Sequence, residues 1–229
     1  MKKVLITQSN YIPWKGYFDA INGVDDVVLY DDMQYTKRDW RNRNKIKTPN
    51  GAQWITIPVE VKGKFFQKIN ETRISEKNWA QGHWKTIVHN YRKAPCFEEM
   101  KLFFEELYNK ATHTLLSEIN YLFIREISSW MGINTTFHFS NQFELKEEKT
   151  ERLVSICQQL EANIYCTGPA AKNYMNESLF EDAGIEIKYL DYAGYPEYTQ
   201  LYPPFDHAVS IVDLLFNTAA DFRKYMKSF

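Results

Sequence analysis

The sequence predicts an α/β protein: a Rossmann-like, mostly parallel sheet with a β-hairpin excursion and an inserted helical region. Three observations carry this prediction. Short apolar runs recur between segments of helical period, the pattern of β-α-β units. An Asn50-Gly51 pair followed by strand-like residues marks a hairpin. Between residues 79 and 131 the apolar spacing is that of helices throughout.

The elements follow in order. KVLIT (3–7) reads as a buried strand, QSNYIPWKG as a polar loop, and YFDAIN as a short helix closed by a left-handed Gly23. DVVLY (26–30) is a second strand, ending in Asp31 and Asp32. After a basic stretch, residues 54–61 read as the strand that leaves the Asn50-Gly51 turn. Phe103, Phe104, Leu107 and Tyr108, then Leu115, Leu116, Ile119, Leu122 and Phe123, fall at helical spacing. The alternation returns with strands TTFHF (135–139), NIYCT (163–167) and IEIKYL (185–190), helices at 150–161 and about 170–181, and a last helix from Ile211. Ser210 and Asp213 have the spacing of a capping box at its start. The expected organisation is one α/β domain over 1–229, with 79–131 as a helical insertion or subdomain.

Each predicted strand runs at its carboxyl end into polar residues: Gln8, Ser9 and Asn10; Asp31 and Asp32; Ser140 and Asn141; Thr167, Gly168 and Lys172; Asp191 and Tyr192. In open α/β sheets ligands bind outside that edge. The basic stretch YTKRDWRNRNKIK (35–47) leaves from the same edge. It holds six basic side chains against one acid in a chain of net charge −1. Arg38, Arg41 and Arg43 offer guanidinium forks for phosphate or carboxylate, Lys37 adds charge, Trp40 can stack, and Asn42 and Asn44 add neutral donors. The same composition also describes a solvated amphipathic face. In the loop 10–18, Pro13 and Lys15 precede a helix N-terminus that favours an anion, but one glycine makes neither a dinucleotide fingerprint nor a P-loop. The other account of the loop is a packed turn, with Trp14 and Phe18 entering the core.

Asp31 and Asp32 are placed to hold Mg²⁺ on a nucleotide's phosphates, or equally to pair with nearby Arg and Lys. His207, beside Asp206, could serve as a general base, or simply lie at the surface. The histidines and three separated cysteines form no zinc motif, and no GxSxG occurs. Three dispersed cysteines, no signal-peptide core and no apolar run long enough to span a bilayer point to a cytoplasmic protein without membrane insertion. One short basic patch at pI ≈ 6.5 argues against a duplex-binding surface.

Four blocks, QSNYIPWKGYFDAI, DDMQYTKRDWRNRNKIKTPNG, TERLVSICQQLEANIYCTGPAAKNYM and YPEYTQLYPPFDHAVSIVDLLFN, resemble the signature blocks of the WbqC-like family, in family order and over nearly the whole chain. The resemblance implies a bacterial protein of O-antigen or other surface-polysaccharide (lipopolysaccharide) assembly, with a glycine transferase role suggested. Position by position it nominates Gln8, Tyr11, Pro13, Trp14, Gly16, Asp31, Asp32, Gln34, Tyr35, Lys37, Arg38, Trp40, Arg41, Asn42 and Arg43. From the later blocks come Thr150, Arg152, Gly168, Lys172 and Tyr174, then Pro196, Tyr198, Gln200, Asp213 and Asn217. One departure stands at the end: TAADF replaces the Gly-containing turn that often follows DLLFN in the family.

Residues and resemblance together lead to a transferase acting on a nucleotide-activated amino sugar. Its substrate-binding set is Gln8, Asn10, Tyr11, Trp14, Lys15, Gly16, Gln34, Tyr35, Lys37, Arg38, Trp40, Arg41, Asn42, Arg43, Thr167, Gly168, Lys172 and Tyr174. Asp31, Asp32 and His207 are its candidate catalytic groups. The favoured reaction is glycyl transfer to a sugar amine, from an adenylate made with ATP and Mg²⁺ or from an aminoacyl-tRNA. The alternatives are a glycosyltransferase or other nucleotide-sugar-modifying enzyme, and a non-catalytic nucleotide-sugar or nucleic-acid binding protein.

Overall fold

A computed structural model describes all 229 residues. Its sheet is built from β1 (Lys3–Thr7), β2 (Asp26–Leu29), β5 (Thr136–Phe139), β6 (Ile164–Thr167) and β7 (Glu186–Tyr189), in the order β5-β2-β1-β6-β7 and parallel at every pairing. Chain order thus reverses at β1, with β2 on one side and β6 on the other. That is the switch point of a Rossmann-like sheet, outside whose strand ends ligands bind.

The three central strands β1, β2 and β6 read as near-continuous apolar runs because both faces are covered, whereas the edge strands β5 and β7 are only partly buried. Leu5, Val27 and Cys166 point to a large core, which contains α1 (Lys15–Asn22), α2 (Trp79–Tyr91), α3 (Phe97–Lys110), α4 (Leu116–Met131) and α7 (Ile211–Thr218). Val4, Ile6, Val28 and Tyr165 point the other way, onto α5 (Lys149–Gln159) and α6 (Ser178–Asp182). The inserted helices α2–α4 therefore share the core of the sheet. No helix is long and apolar enough to cross a membrane.

The hairpin excursion pairs β3 (Arg43–Thr48) with β4 (Gly51–Thr56) as a separate two-stranded sheet. Its turn is Pro49-Asn50, one residue earlier than expected, because Thr48 pairs with Gly51 and Gly51 adopts φ +99°. The second strand accordingly runs from Gly51 to Thr56 rather than over 54–61. Other expectations shift too. Gly23 ends α1 in right-handed geometry (φ −80°), so its N–H caps Asp19 and Ile21 carbonyls without a left-handed turn. The helix expected near 170–181 splits into a 3-10 turn (Pro169–Asn173) and α6.

Half of the expected capping box forms. The Ser210 hydroxyl accepts from the Val212 N–H at the start of α7 (3.2 Å). Asp213 instead turns inward and accepts from Tyr91 and Tyr198 hydroxyls at 2.8 and 2.7 Å. A buried carboxylate with two phenol donors satisfies its own lone pairs, and burial raises its pKa.

Candidate functional site

Three clefts lie along the carboxyl edge of the sheet. At the switch point, a cleft of about 470 Å³ is lined by Gln8, Tyr30, Arg41, Lys149, Thr167, Gly168, Tyr174 and Tyr192. Beside it, a pocket of about 550 Å³ is lined by Asn10, Pro13, Trp14, Trp40, Asn44, Tyr192, Tyr195 and His207. Tyr192 is a wall of both. The third cleft, about 630 Å³ at the ends of β2 and β5, holds Asp31, Asp32, Lys68, Ser140 and Asn141.

The local chain explains how these side chains arrive. Between β1 and α1 the backbone passes through Ile12 with φ 35°, a costly conformation for a β-branched residue. It is held by its neighbours: Asn44 donates to the Tyr11 and Ile12 carbonyls (3.1 and 2.9 Å) and Ser210 to the Ile12 carbonyl (2.7 Å). The Ile211 N–H donates to Pro13 (2.9 Å). This clamped loop carries Asn10 and Trp14 into the pocket. Gly16 is needed beneath it, because a Cβ there would lie 2.3 Å from the Trp14 ring. Tyr195 is oriented by donating to buried Asp19 (2.7 Å), and Trp14 meets Tyr192 and Tyr195 edge to face, each at 5.5 Å between centroids.

The basic stretch divides among several tasks. Arg41 enters the switch-point cleft, where it donates to Asn10 and lies 3.7 Å from Asp39. The adjacent Trp40 lines the aromatic pocket and packs on Trp54 at 5.0 Å. Arg43 stacks on Trp54, 4.0 Å from the ring centroid, and donates to the Arg38 carbonyl. Asn42 and Asn44 are buried and donate to backbone carbonyls, so their amides secure the fold. Lys47 is buried against the Pro204 carbonyl, while Lys37 and Arg38 are exposed.

Several other nominated residues have partners within the fold. Tyr11 is wholly buried between Tyr108 (2.6 Å) and His83 (2.9 Å). Tyr35 is buried, and Gln34 donates to the Phe65 carbonyl. Lys172 sits over the Tyr189 ring at 4.5 Å. Arg152 donates to Tyr30 and to the Lys146 and Glu147 carbonyls, tying down the entry to α5. Gln200 bridges to both backbone groups of Asp206 and so holds the loop that presents His207.

His207 is exposed at the aromatic pocket, with Phe205 at 4.6 Å. Partial burial and the nearby Lys15 charge lower its pKa, which favours the neutral base. Lys15 is itself buried, donates to the Pro196 carbonyl (2.7 Å), and is lowered to about 8 by desolvation.

Asp31 and Asp32 have separate partners. Asp31 is buried and accepts from the Ser9 N–H (2.8 Å); burial raises its pKa despite Arg41 nearby. Asp32 accepts from Ser140 (2.5 Å) and Asn70 (3.2 Å), with the Lys68 ammonium at 3.5 Å. No third His, Cys, Asp or Glu joins them as a metal-holding group. A carboxylate already hydrogen-bonded and lysine-paired beside an inward-turned one does not fit a shared Mg²⁺ site. Neither carboxylate lines the pocket of His207.

Sequence reasoning missed Tyr195, Lys149 and Tyr30 as lining residues. Tyr30 was legible as the end of its apolar run. Tyr195 comes from an irregular segment whose course nothing in the local sequence predicts.

These features define a doubly wound α/β protein with a composite cleft, part cationic and part aromatic, at its switch point. The chain belongs to the WbqC-like protein family, whose model matches residues 8–225. It is similar to the "Uncharacterized protein Rv1507c" of Mycobacterium tuberculosis (strain ATCC 25618 / H37Rv), at 50% identity over 227 residues, 99% of this chain and 98% of that one. No solved structure matches the chain.

Proposed function

We propose that the protein is a transferase acting on a nucleotide-activated amino sugar. The carrying observation is the placement of Trp40 and Arg41, consecutive residues that open into adjoining cavities sharing Tyr192 as a wall. Arg41 and Lys149 supply cations for a diphosphate at the switch point, where α/β sheets bind nucleotides. Trp14, Trp40, Tyr192 and Tyr195 supply apolar faces against which a sugar ring packs.

The reaction that joins this reading with the surface-polysaccharide role implied by the family resemblance is glycyl transfer to the sugar amine. His207, neutral at pH 7, takes a proton from the substrate ammonium. The freed nitrogen lone pair attacks the carbonyl carbon of an activated glycine. A C–N bond forms and the C–O bond to AMP or to a tRNA ribose breaks, its electron pair leaving with the oxygen. The second proton of the attacking nitrogen passes to the departing ribose oxygen, or to solvent when AMP leaves.

Calorimetric titration with UDP-, CDP- and dTDP-linked amino sugars tests the binding half. Arg41→Glu is expected to weaken nucleotide-sugar affinity by roughly tenfold or more. Unchanged affinity in both Arg41→Glu and Trp40→Ala overturns the assignment. Mass spectrometry of the sugar nucleotide tests the chemistry: a gain of one glycyl residue is expected with glycyl-adenylate or glycyl-tRNA. Release of the sugar from its nucleotide without that gain replaces glycyl transfer by glycosyl transfer.

A further inference from the structure

Residues 60–68, EVKGKFFQK, form a loop whose tip is apolar and exposed. Phe65 is 69% exposed and Phe66 82%, and the two rings meet edge to face at 5.0 Å. The loop is nonetheless well tied. Gly63 turns it at φ +73°, Gln67 donates to the Glu60 carbonyl (2.8 Å), and Gln34 donates to the Phe65 carbonyl (2.8 Å). An ordered backbone that presents two adjacent phenylalanines to solvent carries a hydration cost without a folding benefit, which marks an interaction surface.

The surroundings identify the partner. Lys62, Lys64 and Lys68 lie in the loop, and Lys37 and Arg38 in the neighbouring turn, which the Tyr35 N–H ties to the Gln67 carbonyl (2.9 Å). Lys64 pairs with Glu60 and Lys68 with Asp32, whereas Lys37, Arg38 and Lys62 have no carboxylate within ion-pair distance. An apolar knob bordered by unneutralised cations is the arrangement that enters the headgroup boundary of an anionic bilayer. Aromatic rings partition into the interface, and each nearby Lys or Arg adds attraction to acidic lipid. The knob projects, so it needs a deformable medium rather than a groove.

We propose that this tip docks the protein peripherally on anionic membrane surfaces, with Phe65 and Phe66 entering the interface and the flanking cations contacting acidic headgroups. The Gln34–Lys68 bridge fastens the loop to the segment that follows β2, so the docked face is continuous with the carboxyl edge of the sheet and its clefts. This inference stands apart from the reaction assigned to those clefts.

Cosedimentation with vesicles tests it. The full chain is expected to bind phosphatidylcholine vesicles containing about one third phosphatidylglycerol, to bind pure phosphatidylcholine poorly, and to be released by salt. The Phe65→Ser, Phe66→Ser double variant is expected to lose roughly tenfold in vesicle affinity, and Lys62→Glu to lose it severalfold. Both should keep the wild-type melting temperature, since these side chains lie in water. No binding of wild type to the anionic vesicles overturns the proposal, as does equal binding by the double variant. Sedimentation velocity supplies a further arm: a dimer that the phenylalanine substitutions dissociate would assign the tip to a second copy of the chain and overturn membrane docking.

Discussion

At the scale of single residues, the basic stretch shows how like side chains acquire different tasks from their surroundings. Arg41 is half-buried in the switch-point cleft, whereas Arg43, two residues on, is taken up by Trp54 and the Arg38 carbonyl. Arg43→Glu is therefore expected to change nucleotide-sugar affinity by about threefold at most, against the tenfold or greater loss for Arg41→Glu; calorimetry on both variants checks the contrast. Gly16 serves by having no side chain. In Gly16→Ala the Trp14 ring must move, with an expected stability loss of about 1–3 kcal/mol by denaturant titration and weaker ligand binding. His207, with its pKa lowered from 6.5, remains the free base down to mildly acidic pH. Under the proposed reaction, transfer should hold through neutrality and fall only as pH drops below 6.5, and His207→Gln should abolish that acid limb of the rate profile along with most of the rate.

At the scale of elements, β3 and α7 secure the loop between β1 and α1. Residues 42, 44 and 46 of the strand segment face inward, so two asparagines occupy positions where apolar residues usually stand. They are there because carbonyls from residues 11, 12 and 57 need donors away from water. Ser210 has two duties, capping α7 and donating to the strained Ile12 peptide. Ser210→Ala is expected to cost about 1 kcal/mol or somewhat more, and also to weaken ligand binding at the aromatic pocket. Thermal melts and calorimetry on one sample check both; a stability loss with full affinity would confine Ser210 to its helix cap.

At the scale of the molecule, the inserted helices and the hairpin meet the sheet in one core, and His83 records that junction. Its ring lies between the Tyr11 hydroxyl and the Thr56 carbonyl; burial lowers its pKa from 6.5 to about 4, against the opposing pull of that carbonyl, so the neutral form is favoured. In the unfolded chain the same imidazole takes up its proton more readily. The His83 contribution is therefore complete above pH 6.5 and lost progressively as pH falls toward 4. Urea titrations across that range should show the decline, and His83→Gln should flatten it.

The α/β class, all five sheet strands and the helical region were legible in the sequence, because each rests on a local apolar run or period, strongest in the central strands that are buried on both faces. So were Arg41, Trp40, Trp14 and His207 as candidates, all of which line clefts, since charge and aromatic character are properties of the residue itself. Local sequence did not separate Asn42, Tyr11 or Arg43 from them: burial, the Trp54 face and the carbonyls that take up their donors come from segments far along the chain. The same holds for the Asp pair, where Ser9, Ser140 and Lys68 decide what each carboxylate can still bind. The chain's own period and chemistry determined the elements and the cast of reactive groups. Tertiary packing alone decided which of them meet, because hydrogen bonds and desolvation at the site depend on neighbours brought together by the order of the sheet.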